Sequence, residues 1–437
     1  MKESVQADSE RLWDKPVQIG KYTLTRRKAA VTVLCALCLL GVGCFGAKKI
    51  YSHEHQMNDR LGEIKASTDK IPEIAEELRQ PEEPRWHGMQ NKVYQTICQA
   101  VTSGKTPDAI TSLACGDDIR ILFVGDSIGA MEWTASAAKW IEYQYGVSCD
   151  VKNICMGGGT SYTGYVRLHM LPTDDVYDLA VICFGQNDSV EDFALYYETV
   201  IRLLLEKNPN CCLFSVLESS QRAYTDKICE IQRVAEYYGI PVVDTLDAYA
   251  KSEYSYDALS PDTIHPGPLG EELYLQAFTQ VLSSKVEKAS EAIADCVTRA
   301  ISGAESFSES TLPNQRHIRQ KAIDPRVDAL ARFAYLPVED FTRVNDTVYE
   351  LKDAHATGIP GIYYWVIPGD NRLQITIDDE LFCDKEDEFY HYNTQARIEL
   401  LGKERTDLDG ETIRISFDTL EQADGFRGLI FSDSEDS

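Results

Sequence analysis

Basic residues are in short supply in this chain. Over 437 residues, 43 Lys and Arg stand against 70 Asp and Glu, a formal charge of −27. Such a chain repels phosphate backbones and anionic surfaces, so no nucleic acid is expected as a partner, whereas a neutral or cationic polymer is tolerated. Histidine is scarce, at eight residues, and no CxxC pair occurs outside one apolar run near the N-terminus. Zinc-type ligand spacing is therefore missing, and a structural metal is not expected. There is no internal repeat. The thirteen cysteines leave the redox compartment open. Cys35, Cys38 and Cys44 fall in the apolar run, while Cys155, Cys183 and Cys212 sit in apolar segments where Cys packs as a small hydrophobe. Cys98 and Cys115 are candidates to pair.

What the chain does have begins with length enough for two domains. From Ala29 to Ala47 it reads AAVTVLCALCLLGVGCFGA without a charge. At 1.5 Å per residue, about 19 such residues just cross a hydrocarbon core of about 30 Å. A buried core helix is the alternative, but Arg26-Arg27-Lys28 before the run and Lys48-Lys49 after it favour a single membrane span. Lys15 and Lys21 add to the basic excess on the N-terminal side, which places residues 1–28 in the cytoplasm and the rest outside. Gly41-Val42-Gly43-Cys44 has a faint likeness to a bacterial lipoprotein cleavage site, with Gly41 where an aliphatic residue is usual. Residues 48–90 read as a stalk, with Leu61, Ile64, Ile71, Ile74 and Leu78 at helical spacing until Pro81 and Pro84 end it. A sequon, Asn187-Asp188-Ser189, falls inside one of the motifs described next, where a glycan would block it, and this favours a bacterial exterior.

Residues 91–290 alternate short apolar runs with amphipathic stretches. Strands are expected at 119–124, 149–155, 179–184, 212–217 and 241–243, with helices at 129–144, 191–205, 225–238 and 269–286. Apolar strands separated by helices imply a three-layer α/β/α sandwich on a parallel sheet. Residues 291–332 read as a linker. From 333 to 431 the pattern turns to period two, in runs such as GIYYWVIP from Gly361 and LQITID from Leu373, which predicts a smaller antiparallel β-rich domain. Residues 432–437 form an acidic tail.

Four short segments fall at expected strand ends, where ligand sites of parallel sheets lie. They are Gly125-Asp126-Ser127, the stretch from Asn153 to Gly158, Gly185-Gln186-Asn187-Asp188, and Asp262-Thr263-Ile264-His265. A Ser hydroxyl needs a base to take its proton, and a base needs an orienter. Ser127, His265 and Asp262 are the residue types for those roles. A developing oxyanion needs donors, for which the backbone N–H groups of Ser127 and Gly158 and the side-chain amide of Asn187 are candidates. Each segment alone also reads as a plain turn or helix cap. Their shared order and placement favour one site. Gly157 and Gly159 flank Gly158, so that donor has close neighbours.

Together these motifs resemble the SGNH (GDSL-type) hydrolase superfamily of esterases, lipases and acetyltransferases, over roughly residues 119–282. The resemblance implies a flavodoxin-like fold, an acyl-Ser127 intermediate and no cofactor. The segment 230–244 also looks like this family. Asp188 after Asn187 is similar to the form seen in carbohydrate-acting members, while Ile128-Gly129 departs from the usual sequence after the nucleophile. With a membrane anchor and an outward catalytic domain, the expected function is an extracytoplasmic serine esterase removing O-acyl, chiefly O-acetyl, groups from carbohydrate at a bacterial cell membrane. One alternative is an O-acyltransferase modifying envelope polysaccharide with a membrane acyl-donor partner. Another is a non-catalytic carbohydrate-binding protein, in which Tyr363, Tyr364, Trp365, Tyr390 and Tyr392 stack on sugar rings, although aromatics in strands are more often core. No apolar lid segment accompanies the motifs, which disfavours a lipase.

Overall fold

The computed structural model describes residues 16–19, 22–25, 108–302 and 321–433, apart from 329, 331, 390–393 and 403. The expected membrane segment at 29–47 and the stalk at 48–90 lie outside the described residues. No helix among the described ones is long and apolar enough to cross a membrane. In the unit Met1–Trp86, inside the stretch read as a tail, an antiparallel ribbon pairs β1 (Pro16–Ile19) with β2 (Tyr22–Thr25). The other elements belong to the unit His87–Ser437.

After helix α1 (Ala109–Cys115), strands and helices alternate: β3 (Ile119–Gly125), α2 (Glu132–Tyr145), β4 (Cys149–Asn153), α3 (Ser161–His169), β5 (Leu179–Cys183), α4 (Val190–Lys207), β6 (Cys212–Leu217), α5 (Asp226–Tyr238) and β7 (Val242–Asp244). The five strands are all parallel, in the order β4-β3-β5-β6-β7. Successive side chains of a strand point to opposite faces, so β3 serves two cores. Leu122 and Val124 pack with Tyr165 and Val166 of α3 and Val200 of α4, while Ile121 and Phe123 pack with Trp133 of α2. Helices α6 (Thr245–Lys251), α7 (Tyr256–Leu259) and α8 (Pro268–Ser302) complete the second face, where Tyr274, Phe278 and Leu282 are fully buried. The three-layer α/β/α sandwich on a parallel sheet, flavodoxin-like in strand order, is thus present. Helix α8 runs past residue 290, where a linker was expected to begin, because no Gly or Pro interrupts the chain until Gly303.

The second domain is antiparallel. It comprises β8 (Arg332–Pro337), β9 (Thr342–Asn345), β10 (Val348–Val366), β11 (Gly369–Ile377), β12 (Glu380–Phe389), β13 (Gln395–Leu400), β14 (Thr406–Phe417), helix α9 (Leu420–Asp424) and β15 (Gly428–Asp433). These strands form one hydrogen-bonded path, β12-β11-β14-β10-β15-β8, with β9 and β13 also on β10. The long strand β10 carries a bulge between Leu351 and Ala354, where Asp353 has φ 55°; it pairs β14 as far as Gly358, then β15 from Ile359 and β13 from Gly361. Ser432 and Asp433, read as part of the acidic tail, pair instead with Phe333 and Arg332 of β8.

The two domains share a core. Ile398 of β13 and Ile430 of β15 are buried in the same apolar cluster as Tyr162 and Tyr165 of α3, with Phe333, Tyr363 and Leu400 packed against it. Tyr165 donates to the Arg332 carbonyl at 3.2 Å and Thr163 to the Ile398 carbonyl at 3.2 Å. This sheet face is thereby fixed on α3.

Candidate active site

Three loops at the carboxyl ends of β3, β4 and β5 meet the loop before α8. Gly125 is demanded by the first: a Cβ there would lie 2.4 Å from the Cys183 carbonyl oxygen. The chain then turns on Asp126, whose Oδ1 accepts the Ile128 N–H at 2.8 Å, and Ser127 emerges half-buried at the cleft. Asn153 ties this loop to the next. Its side-chain amide donates to the Gly129 carbonyl at 3.0 Å while its Oδ1 accepts the Cys155 N–H at 2.9 Å. Gly158 sits in the left-handed region, φ 67°, which favours glycine, and its backbone is exposed to the cleft. Neither the Ser127 nor the Gly158 N–H has an acceptor among the described residues.

The loop before α8 is shaped by an acidic turn. Asp262 Oδ1 accepts the N–H groups of Ile264 at 3.0 Å and His265 at 2.7 Å, with Thr263 at φ 73°. Arg222 and the Tyr256 hydroxyl both donate to the Thr263 carbonyl, holding the turn from outside. Asp262 Oδ2 is 2.7 Å from His265 Nδ1, and His265 Nε2 is 2.8 Å from Ser127 Oγ. Burial raises the Asp262 carboxyl, but its bonds from the His265 ring and from the two N–H groups outweigh burial and hold it below its ordinary value. It is an anion positioned to stabilise an imidazolium. Nucleophile, base and orienter types therefore stand in one hydrogen-bonded line, as their spacing implied.

Asn187 lies at the cleft with its amide nitrogen 3.0 Å from the Gly159 carbonyl and 3.4 Å from Asp126 Oδ2. Asp188 turns inward instead. Its Oδ1 accepts both the N–H, at 2.8 Å, and the hydroxyl, at 2.5 Å, of Ser161, fixing the start of α3. Four of the five residues singled out from sequence, Ser127, Gly158, Asn187 and His265, thus line one cleft of about 590 Å³, and Asp262 joins them through His265.

Two groups were missed. The first is Glu218, fully buried beneath the site, with its carboxylate, that of Asp126 and the Cys183 sulfur within 4.8 Å of one another. A charged residue directly after the apolar strand β6 was the available signal. These are the described residues that could share an ion, but burial raises all three pKa values, and two facing carboxyls are also satisfied by one shared proton. Asp126 is pushed up to about 7, by burial first and by the charge of Asp188 as well, against the bond from the Ile128 N–H. A raised carboxyl pKa means that the folded state keeps a proton the unfolded chain releases, so stability falls as pH rises from about 4 to about 7. Glu218→Gln removes one of the two competing acids. Its stability, measured by denaturant titration at pH 5 and pH 8, is expected to fall less across that interval than wild type, by on the order of 1–3 kcal/mol. Equal declines would show that the two carboxyls do not share a proton.

The second group comes from the other domain. Gln395, Arg397 and Glu399 of β13 line the cleft opposite His265 and Ile264. Nothing in the local sequence marks them, because only the packing of β13 on α3 brings them there. Conversely, the aromatic residues considered as sugar platforms are structural where described. Tyr363 packs on the α/β core, Tyr364 is 3% exposed within the β core, and Trp365 lies under the Arg427 guanidinium at 5.9 Å. Tyr390 and Tyr392 lie outside the described residues.

Residues 123–273 match the model of the GDSL-like Lipase/Acylhydrolase family. Among solved structures, a two-domain esterase (CEX) active on acetylated mannans is similar at 14% identity and TM-score 0.53, over 74% of this chain and 94% of that one. The same esterase co-crystallised with mannopentaose gives 13% identity and TM-score 0.53, over 74% and 93%. An acetylxylan esterase from Geobacillus stearothermophilus gives 21% identity and TM-score 0.33, over 38% of this chain and 94% of that one. No curated protein matches. At such identities the two-domain likeness is one of fold. The family match and the strand order together show that residues 123–273 carry a GDSL-like lipase/acylhydrolase domain on a flavodoxin-like parallel sheet, joined to an antiparallel β-rich domain.

Proposed function

We propose that the protein is a serine esterase that removes O-acetyl groups from carbohydrate outside the cytoplasm, through an acyl-Ser127 intermediate. The line from Asp262 through His265 to Ser127, at 2.7 and 2.8 Å, carries this reading. Ser127 Oγ attacks the ester carbonyl as His265 Nε2 takes its proton. The tetrahedral oxygen is held by the N–H groups of Ser127 and Gly158 and by the Asn187 amide. Collapse expels the alcohol, which receives the proton from His265. Water, activated by the same imidazole, then attacks the acyl-Ser127 carbonyl and releases the acid.

The cleft supports a sugar ester. Thr160, Asp192 and Gln395 line it and offer polar groups to the hydroxyls of a sugar ring, while Tyr162, Phe193 and Tyr196 at the same cleft are buried in the core. An esterase of similar two-domain fold acts on acetylated mannans, which makes acetylated mannans the first polymers to try. Two observations support the location: the apolar run from Ala29 to Ala47 and a disulfide at Cys115, a bond that persists outside reducing compartments.

A fluorophosphonate probe tests the intermediate, since Ser127 Oγ displaces fluoride and keeps the phosphonyl group. Mass spectrometry is expected to find one adduct, on Ser127, and none in Ser127→Ala. An adduct elsewhere, or none on a protein that hydrolyses p-nitrophenyl acetate, would count against the acyl-serine route.

A further inference from the structure

We propose that Gln395 and Arg397 of β13 form a subsite for the alcohol part of the ester, a neutral sugar ring with free hydroxyls beside the acylated one. The β-rich domain then sets substrate choice from within the active site. This rests on the esterase reading above.

The closeness of Gln395 to the oxyanion turn is the first observation. A Cβ added at Gly157 would lie 2.3 Å from Gln395 Nε2, and one at Gly158 would lie 3.4 Å from that atom and 3.9 Å from Arg397 Nε. The amide and the guanidinium therefore stand over the turn whose Gly158 N–H faces the cleft. Glycine at both positions is what lets them come so near.

The second observation is unspent hydrogen-bonding capacity. Arg397 Nε is buried without a hydrogen-bond partner among the described residues, and the Gln395 amide has none there either. A buried donor without an acceptor is costly, a cost that a ligand oxygen would relieve. The acyl group does not fit this role, because an acetyl methyl offers nothing to hydrogen-bond. The oxygen-rich half of the substrate does.

Charge narrows the ligand further. Arg397 Nη1 lies 2.9 Å from Glu399 and 3.7 Å from Asp387, and Lys385 also pairs with Glu399. The wall thus offers donors without a net positive field, and Asp192 lines the same cleft. A uronate or phosphate would meet carboxylates, whereas a neutral polyol would not. The wall is also held in place, since Ile398, next to Arg397, is 3% exposed and its carbonyl accepts from Thr163.

The test compares full-length wild type with Gln395→Ala and Arg397→Gln on mono-O-acetylated methyl hexosides and on p-nitrophenyl acetate. The readout is the ratio of kcat/KM for the sugar ester to that for the aryl ester. One lost hydrogen bond of about 1–1.5 kcal/mol corresponds to about a 5–12-fold fall in that ratio, carried mainly by KM. Gln395→Ala removes a side chain that holds no other group, so its folding serves as the control for Arg397→Gln. An unchanged or increased ratio in both folded variants would overturn the subsite. A wild type inert toward every ester would instead remove the esterase reading. In that event, NMR titration of methyl hexosides into Ser127→Ala and into Ser127→Ala/Gln395→Ala decides the subsite. Weaker binding in the double variant supports it, and equal or absent binding overturns it.

Discussion

Ser127→Ala is expected to lower kcat/KM for p-nitrophenyl acetate by at least about 10⁴-fold, and His265→Ala by a similar factor. The reason lies in the geometry. Ser127 Oγ has the His265 ring at 2.8 Å, and without that base a hydroxyl is a weak nucleophile. Because the two side chains act as one unit, the double variant should be scarcely slower than either single one, since removing either already abolishes proton transfer during attack. Both substitutions are mild for the fold. Ser127 is half-buried, and the His265 backbone N–H keeps its bond to Asp262 Oδ1 at 2.7 Å whatever the side chain. Thermal denaturation of each variant should therefore stay close to wild type, which separates lost chemistry from lost structure. Variants that retain more than about a tenth of wild-type activity would mean that the observed hydrolysis arises elsewhere.

The α/β domain was legible because its signals are local. The apolar runs at Ile121–Val124 and Val181–Phe184 are buried on both faces, and punctuation such as Thr225 and Gly239 caps α5 in the structure. The Ser127, Gly158 and Asn187 motifs sit at strand ends, where topology brings them together, whereas the His265 motif, also expected at a strand end, lies in the loop between α7 and α8. What escaped notice is non-local or misleading in composition. Strand β12 reads ELFCDKEDEF, a charged stretch made a strand by pairing with β11 rather than by apolar alternation. Strand β10 carries Gly358, Pro360 and Gly361, which read as breaks, yet Gly361 is required: a Cβ there would meet the Tyr162 hydroxyl of α3 at 2.2 Å. That contact belongs to the interface between domains, and a single chain read in order has no means to show it. The same holds for Gln395 and Arg397. For the aromatic residues of β10 the sequence left sugar stacking open beside the commoner core reading, and the packed sheet places Tyr363 and Tyr364 in core.

Asn187→Ala is the second substitution with a large expected effect, a fall in kcat of about 10²–10³-fold with little change in KM. In this structure its amide nitrogen faces the Gly159 carbonyl at 3.0 Å and Asp126 Oδ2 at 3.4 Å. The longer contact is at the outer limit of a hydrogen bond and contributes little. Its hydrogen is therefore the one available to a developing oxyanion, while the bond to Gly159 keeps the side chain beside the turn. Burial raises the Asp126 carboxyl, and a carboxyl that keeps its proton is a poorer acceptor than a carboxylate, which favours that exchange. Asn187→Asp should be slower still, since it sets an anion against the charge it must stabilise. The assay is steady-state hydrolysis of p-nitrophenyl acetate beside wild type at neutral pH. An Asn187→Ala variant whose kcat stays within about threefold of wild type would confine Asn187 to bracing the Gly159 turn, leaving the oxyanion to the backbone N–H groups of Ser127 and Gly158.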